Sequence, residues 1–249
     1  VKILLLDIET APNLAYVWGM WQQNISMDKI VAKGHVLCWS AKWYGESETM
    51  FSSVRDGEKT MLKRIHKLLD KADVVIHYNG RSFDIPTLNK EFVTHGMTPP
   101  APYKQVDLLT VVRDQFRFPI NKLDYVAQTL GLGGKVRHPG FQMWVDCMAG
   151  DDAAWAKMEK YNRGDVILLE KLYDKLKPWV KNHPHHGAFD GRPTVCPNCG
   201  EEHTLQRRGS AVTRDVRYPR FQCVGPTGCG AWSRGKKALS KTRTTLQGI

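Results

Sequence analysis

No stretch of this 249-residue chain approaches the roughly 18 consecutive apolar residues that a bilayer-spanning helix needs, so no membrane partner is expected. The opening "VKILLLDIET" meets a charge after a short apolar run and offers no small-residue cleavage site. It does not read as a secretory signal, and an intracellular, cytoplasmic home is expected. No internal repeat is visible. Cysteine is scarce through the first 180 residues, where only Cys38 and Cys147 occur; these are expected to be ordinary thiols, because a free cysteine commonly behaves as a small hydrophobe. Acidic residues are scarce in the remainder. Residues 1–180 hold 24 Lys plus Arg against 21 Asp plus Glu, a net of +3, whereas residues 181–249 hold 12 against 4, a net of +8. A basic excess confined to one segment suggests a polyanionic partner, most often nucleic acid.

What is present reads as an α/β protein with a small appendage. A hydrophobic content of 42% is that of a globular domain. "KILLLDIE" is strand-like by its continuous apolar run, and "HVLCWSAKWYG" and "ETMFSSV" extend it as an antiparallel meander. "EKTMLKRIHKLLDKA" spaces its apolar residues as an amphipathic helix does, and "DVVIHYN" comes after it as a buried strand. In "DIPTLNKEFVTHG" an N-cap acid, an early proline and a closing glycine punctuate a helix opened by Asp84. "QVDLLTVVRDQF", "NKLDYVAQTLGLGG" and "DDAAWAKMEKYNRGDVILLEKLYDKLKPWV" are predicted helical, the last stopping near Pro178. Beyond Trp179, "KNHPHHGAFDGRPT" lacks periodicity and reads as a linker. Its His183, His185 and His186 are expected in a solvated connector rather than on a metal. The expected domains are 1–180, a linker over 181–192, and 193–249.

Asp7 and Glu9 pose a physical problem. Residues i and i+2 of a strand share a face, so two carboxylates stand side by side and repel unless a cation lies between them. "HYNGRSFD" places Asp84 just after a second buried strand, where sites in α/β sheets are built. "YNRGD" puts Tyr161 and Asp165 four apart, on one face of a helix. Asp107 and Asp124, also near helix starts, read as structural.

In "DIET", "YNGRSFDIPTL" and "YNRGD", in that order over residues 1–180, the chain resembles the 3′-to-5′ exonucleases of the ribonuclease H-like (DnaQ-like) superfamily, in the subclass named for four acids and a tyrosine (DEDDy). The proofreading domains of B-family DNA polymerases belong there. Asn79, Phe83 and Asp84 match the family's Asn-x-x-x-Phe-Asp pattern. The sister subclass has a histidine where this sequence has Lys160. The resemblance implies a ribonuclease H-like mixed sheet flanked by helices and two Mg²⁺ or Mn²⁺ ions. On it, Asp7 bridges both ions, Glu9 and Asp165 hold the ion that activates water, Asp84 helps place the second, and Tyr161 orients the attacking water. Two divalent ions make water nucleophilic at neutral pH and neutralise the charge that builds on the reacting phosphate, and hard oxygen ligands suit Mg²⁺ or Mn²⁺. Thr10, Asn79 and Phe83 are then candidates to contact the terminal nucleotide, with a packing role equally open for Phe83. DNA is favoured over RNA. Docking to a polymerase or another replication or repair protein is a further expectation. An RNA-trimming enzyme of the same fold and a non-catalytic nucleic-acid-binding adaptor are the alternatives; the adaptor predicts a missing ligand, yet all five side chains are present.

"CPNCG" and "CVGPTGCG" supply Cys196, Cys199, Cys223 and Cys229. Four thiolates on Gly-containing turns suit one tetrahedral Zn²⁺, and disulfides are not expected without a secretion signal. The second knuckle is longer than usual. The alternating "LQRRGSAVTRDVRYPRFQC" between the knuckles predicts a hairpin, hence a zinc ribbon whose metal supplies the stability. Its Arg207, Arg208, Arg214, Arg217 and Arg220, with Tyr218, Phe221 and Trp232, are candidates to grip phosphates and stack on bases; docking to a protein is the competing use.

Overall fold

The computed structural model describes residues 1–213 and 216–239, so Arg214 and the basic end 240–249 lie outside the described residues. The chain divides into two compact units, Lys2–Tyr173 and Asp174–Ile249 with Val1.

In the first unit, β1 (Ile3–Thr10) is followed by a two-stranded arm of β2 (Leu14–Ala15) and β3 (Ile30–Ala32), then by β4 (Val36–Trp43) and β5 (Met50–Ser53). Helix α1 (Glu58–Lys71), β6 (Val74–His77), α2 (Asp84–Thr94) and β7 (Lys104–Asp107) come next. Helices α3 (Leu108–Gln115), α4 (Leu123–Thr129), α5 (Gln142–Met148) and α6 (Asp152–Leu176) complete the series. The five-stranded sheet has the order β5-β4-β1-β6-β7. It is mixed: β1 runs antiparallel to β4 and parallel to β6.

Strand periodicity explains how β1 serves two purposes. Leu4, Leu6 and Ile8 enter a core with Trp39, Met61, Leu62, Ile65, Leu88 and Phe92, which is the buried stripe of α1 and α2. Asp7 and Glu9 belong to the opposite face. On β4, Leu37 and Cys38 join Met143, Trp155, Met158 and Tyr161 of α5 and α6 in a second core. Each face of the central strand therefore has helical cover.

The first unit departs from expectation in three places. The periodicity of "QVDLL" predicts helix throughout, but Lys104–Asp107 pairs in parallel with β6, and the helix starts only at Leu108. Pairing of Val106 beside Ile76 outweighs the helical periodicity of the residues after it. The N-cap of α2 is Phe83 and Asp84 is its first helical residue, not the cap. Helix α5 and the arm carrying the exposed Trp18 and Trp21 have no periodic signal.

In the second unit, segment 181–192 is only in part the solvated connector expected. It holds the short helix α7 (His186–Asp190), and His183 and His186 are buried with their rings stacked 5.5 Å apart. Strands β8 (Leu205–Thr213), β9 (Val216–Cys223) and β10 (Trp232–Arg234) come after it. They form an antiparallel sheet in the order β10-β9-β8. No described helix is long and apolar enough to cross a membrane.

Candidate active site and metal centres

The acid cluster arises where the sheet splits. Strand β6 pairs with β1 only over Ile3–Leu5, so the later residues of β1 lose their parallel partner. The Ile8 N–H freed in this way donates to Asp84 Oδ1 at 3.0 Å, which brings the start of α2 to the strand that carries Asp7 and Glu9. From the other side, α6 delivers Asp165. Carboxylate oxygens of Asp7, Glu9 and Asp165 lie within 4.8 Å of one another.

Such crowding is visible in the electrostatics. Burial raises Asp7 well above the ordinary carboxylate range, and the charges of Glu9, Asp165 and Asp84 push the same way. Glu9 and Asp84 are each raised to about 7, chiefly by burial. Asp165 also rises through burial, with Lys135 opposing. Its Oδ1 is buried with no hydrogen-bond partner among the described residues. Desolvated carboxylates that raise one another's pKa, one with an orphaned oxygen, are a donor set that a hard divalent cation fits.

Two residues of the cluster escaped the sequence reading. Asn162 donates through Nδ2 to Asp7 Oδ2 at 2.6 Å. Lys135 donates to Tyr161 Oη at 2.9 Å and to Asp165 Oδ2 at 2.5 Å. Burial would lower the Lys135 ammonium's pKa, but Asp165 and Asp7 outweigh it and hold the group well above the usual lysine value. The Tyr161 phenol is raised by burial and by Asp165, so it keeps its proton. The signal for Lys135 lay in "GLGGK": the Lys135 N–H donates to Asp124 Oδ1 at 2.7 Å, and a Cβ on Gly134 would stand 2.9 Å from that same oxygen. Asp124, read as structural, is what aims Lys135.

The turn after β6 is held with similar economy. Asp107 caps α3 by accepting from Leu109 N at 3.0 Å, and also accepts from Asn79 N at 2.9 Å and Arg81 N at 3.2 Å. Asn79 is exposed with φ +69°, a region in which asparagine is enriched. A Cβ on Gly80 would fall 2.4 Å from the His77 ring, so only glycine fits. Phe83 is partly exposed beside Asp84. Thr10 lines a shallow pocket of ≈ 330 Å³ with Pro12, Phe141 and Trp144. Trp144 also packs edge-on to Tyr161, as does His138.

The family profile of the RNase H superfamily matches residues 4–177. The chain belongs to the RNase H superfamily. A comparison with curated proteins finds no match. Among solved structures, the family B DNA polymerase from the hyperthermophilic archaeon Pyrobaculum calidifontis is similar, with a TM-score of 0.53 and 16% identity over 89% of this chain. At that identity the likeness speaks for the fold. The matched region is 33% of the polymerase, so this RNase H superfamily chain spans about a third of that protein's length. Superfamily membership gives it a nuclease fold, whose members work with divalent metals on nucleic acid.

The second candidate metal centre is different in kind. Cys196, Cys199, Cys223 and Cys229 present their sulfurs within 4.8 Å of one another, and none is in a disulfide. Cys196 Sγ stands 3.8 Å from Cys229 Sγ, and Cys199 Sγ 3.7 Å from Cys223 Sγ. Four sulfurs bound to zinc at about 2.3 Å in a tetrahedron would be about 3.8 Å apart, so the set fits that ion. The long second knuckle closes because Cys223 N donates to Ala231 O while Gly230 N donates back to Cys223 O. A Cβ on Gly228 would collide with Val224 O at 2.4 Å, so the tight path needs glycine.

Proposed function

We propose that the chain is a metal-dependent 3′-to-5′ exonuclease of the tyrosine subclass, hydrolysing phosphodiester bonds at the 3′ end of nucleic acid, DNA in preference to RNA, with release of nucleoside monophosphates. The observation that supports it most is the meeting of Asp7, Glu9 and Asp165 within 4.8 Å, with Tyr161 one turn before Asp165 on α6. In this reading Asp7, Glu9, Asp84 and Asp165 would hold two Mg²⁺ or Mn²⁺ ions, which when bound supply a nucleophilic water and neutralise charge on the phosphorane and the leaving oxygen.

The chain's own groups do the rest. Asn162 fixes the rotamer of Asp7 by its 2.6 Å hydrogen bond. The protonated Tyr161 hydroxyl orients the attacking water, and the Lys135 ammonium holds that hydroxyl in place from 2.9 Å. Its positive charge also faces the region in which negative charge accumulates, where a fixed charge is most effective. The walls formed by Thr10, Pro12, Phe141 and Trp144 take the terminal nucleotide, with Asn79 and Phe83 approaching from the turn after β6. The cysteine module binds one structural Zn²⁺ and adds hold on the polyanion through its arginines. Docking to a polymerase or another replication or repair protein is proposed as the setting.

The test uses 5′-labelled single strands of DNA and of RNA with Mg²⁺ or Mn²⁺. Wild type is expected to give a ladder of 3′-shortened products, faster on DNA. Asp7→Ala is expected to abolish the ladder while still binding the strand. Digestion by that variant at the wild-type rate would refute the site.

A further inference from the structure

Sequence alone groups the ribbon's arginines together, but the register of the sheet sorts them. Residues directly opposite in an antiparallel pair share a face. Arg234 of β10 stands opposite Arg220 of β9, and Trp232 opposite Gln222; Tyr218 lies two residues from Arg220 on the same face. Arg207 pairs with Phe221 and Arg217 with Val212, which puts Arg207 and Arg217 on the other face. One face therefore carries Tyr218, Arg220, Trp232 and Arg234. On it the Arg234 guanidinium lies 4.4 Å from the Tyr218 ring centre and the Arg220 guanidinium 4.8 Å from that of Trp232.

This arrangement breaks a rule of sheet stability. Like charges directly opposite across two strands destabilise the pair, and none of the three strands holds an Asp or Glu to offset Arg220 and Arg234. The rings hold both guanidiniums in place from their flat sides. Arg220 spends Nε on Arg208 O at 2.9 Å, and the Arg234 side chain makes no hydrogen bond or ion pair among the described residues, so planar N–H edges stay free for bidentate contact with phosphate. Trp232 is 53% exposed, leaving apolar surface on which a base can stack. A local rule broken with no acidic residue on the three strands to offset it is expected at a functional site.

We infer that Arg220 and Arg234, braced by Trp232 and Tyr218, form a clamp for the phosphate backbone of single-stranded nucleic acid, while Arg207 and Arg217 on the opposite face take no part. The inference rests on the reading of the chain as an enzyme of nucleic acid, and deepens it by naming where the strand is held. It is tested with the full, zinc-loaded chain in an Asp7→Ala background, titrating a fluorescent single-stranded oligonucleotide across a range of salt. The double variant Arg220→Gln with Arg234→Gln is expected to bind about tenfold or more weakly and to flatten the log–log salt slope by roughly 1.4, at about 0.7 per phosphate contact on single strands. Arg207→Gln with Arg217→Gln is expected to change affinity less than about twofold. Arg220→Lys with Arg234→Lys should restore most of the slope, which an unfolded ribbon would not do. Trp232→Ala should weaken binding about fivefold or more with the slope unchanged. Equal losses from the two glutamine pairs, no loss from either, or no binding by the parent chain would overturn the clamp. Hydrolysis by wild type is scored separately, so that face-selective binding without digestion sinks only the exonuclease reading.

Discussion

The acid cluster and the cysteine cluster are both donor sets brought together from distant segments, yet they depend on their surroundings in opposite ways. Asp7, Glu9 and Asp165 are mounted on β1 and α6, whose positions are fixed by apolar packing of Leu4, Leu6 and Ile8 on one face and of Trp155 and Met158 on the other. The carboxylates are a liability which that scaffold tolerates. In the ribbon, the buried cluster consists of Cys196, Cys223 and Ala231, with Cys199, Leu205 and Cys229 packed against it. There the ligands themselves are the core. A hydrophobic scaffold can hold a repulsive site open for an ion, whereas a segment without such a scaffold needs the ion in order to fold.

Stripping metal from each donor set is the sharpest way to break that comparison, and the larger effect is expected at the cysteines. Structural zinc supplies an apparent 10–16 kcal/mol in zinc-finger peptides, roughly the whole stability of a small domain. A strong chelator, or Cys199→Ser, is expected to erase hydrogen-exchange protection of β8, β9 and β10 while the amides of β1, β4 and β6 stay protected. Ribbon amides that remain protected after zinc is stripped would mean that the segment has a core independent of its thiolates.

At the acid cluster the effect of removing the ion is expected to be smaller, about a few kcal/mol, and to depend on pH. Glu9 is raised from 4.5 to about 7 and Asp84 from 3.8 to about 7, mainly by burial. A carboxyl whose folded pKa exceeds its unfolded one binds more protons when folded, so stability falls as pH rises from about 4 to about 7 and levels off above. Chelated protein should therefore melt at progressively lower temperature across that window, with Mn²⁺ restoring most of the loss at pH 7 and little at pH 4.5. Glu9→Gln should flatten the metal-free slope. A metal-free melting temperature that climbs through the same window would show that the carboxylates are not the strained, ion-seeking set described here.

Both donor sets were legible in the sequence, whereas much of their setting was not. Asp7, Glu9 and Asp165 were legible because strand and helix periods put them on defined faces and their three motifs resemble those of a known family, and the four cysteines because thiolate spacing has few other uses. The separation of Arg207 from Arg220 was not legible as a matter of faces, since the register shift between Arg207 and Ser210 decides which side each occupies. Strand β7 was hidden inside a helical pattern because pairing with β6, not local propensity, makes it a strand. The burial of His183 and His186 depends on packing within the second unit that no periodicity announces. Lys135 was missed for a related reason: a lysine in a glycine-rich loop looks like solvent-facing charge until Asp124 is seen to turn it inward.

Lys135 also supplies the smallest and most discriminating test of the comparison. Its ammonium already touches Asp165 and Tyr161, and so plays two parts: it relieves the repulsion among the carboxylates, and it anchors the hydroxyl proposed to orient water. Lys135→Met separates them. Losing one positioned, charged donor at such a site is expected to lower kcat by about 10²-fold. Freed of a competing positive charge, the carboxylates should bind Mn²⁺ with a half-saturating concentration unchanged or lower. Lys135→Arg, which keeps the charge on a bulkier fork, should recover part of kcat without altering the metal requirement. If instead Lys135→Met raised the Mn²⁺ requirement and excess metal restored full kcat, the lysine would be a prop for the acid cluster alone, and Tyr161 would need no anchor.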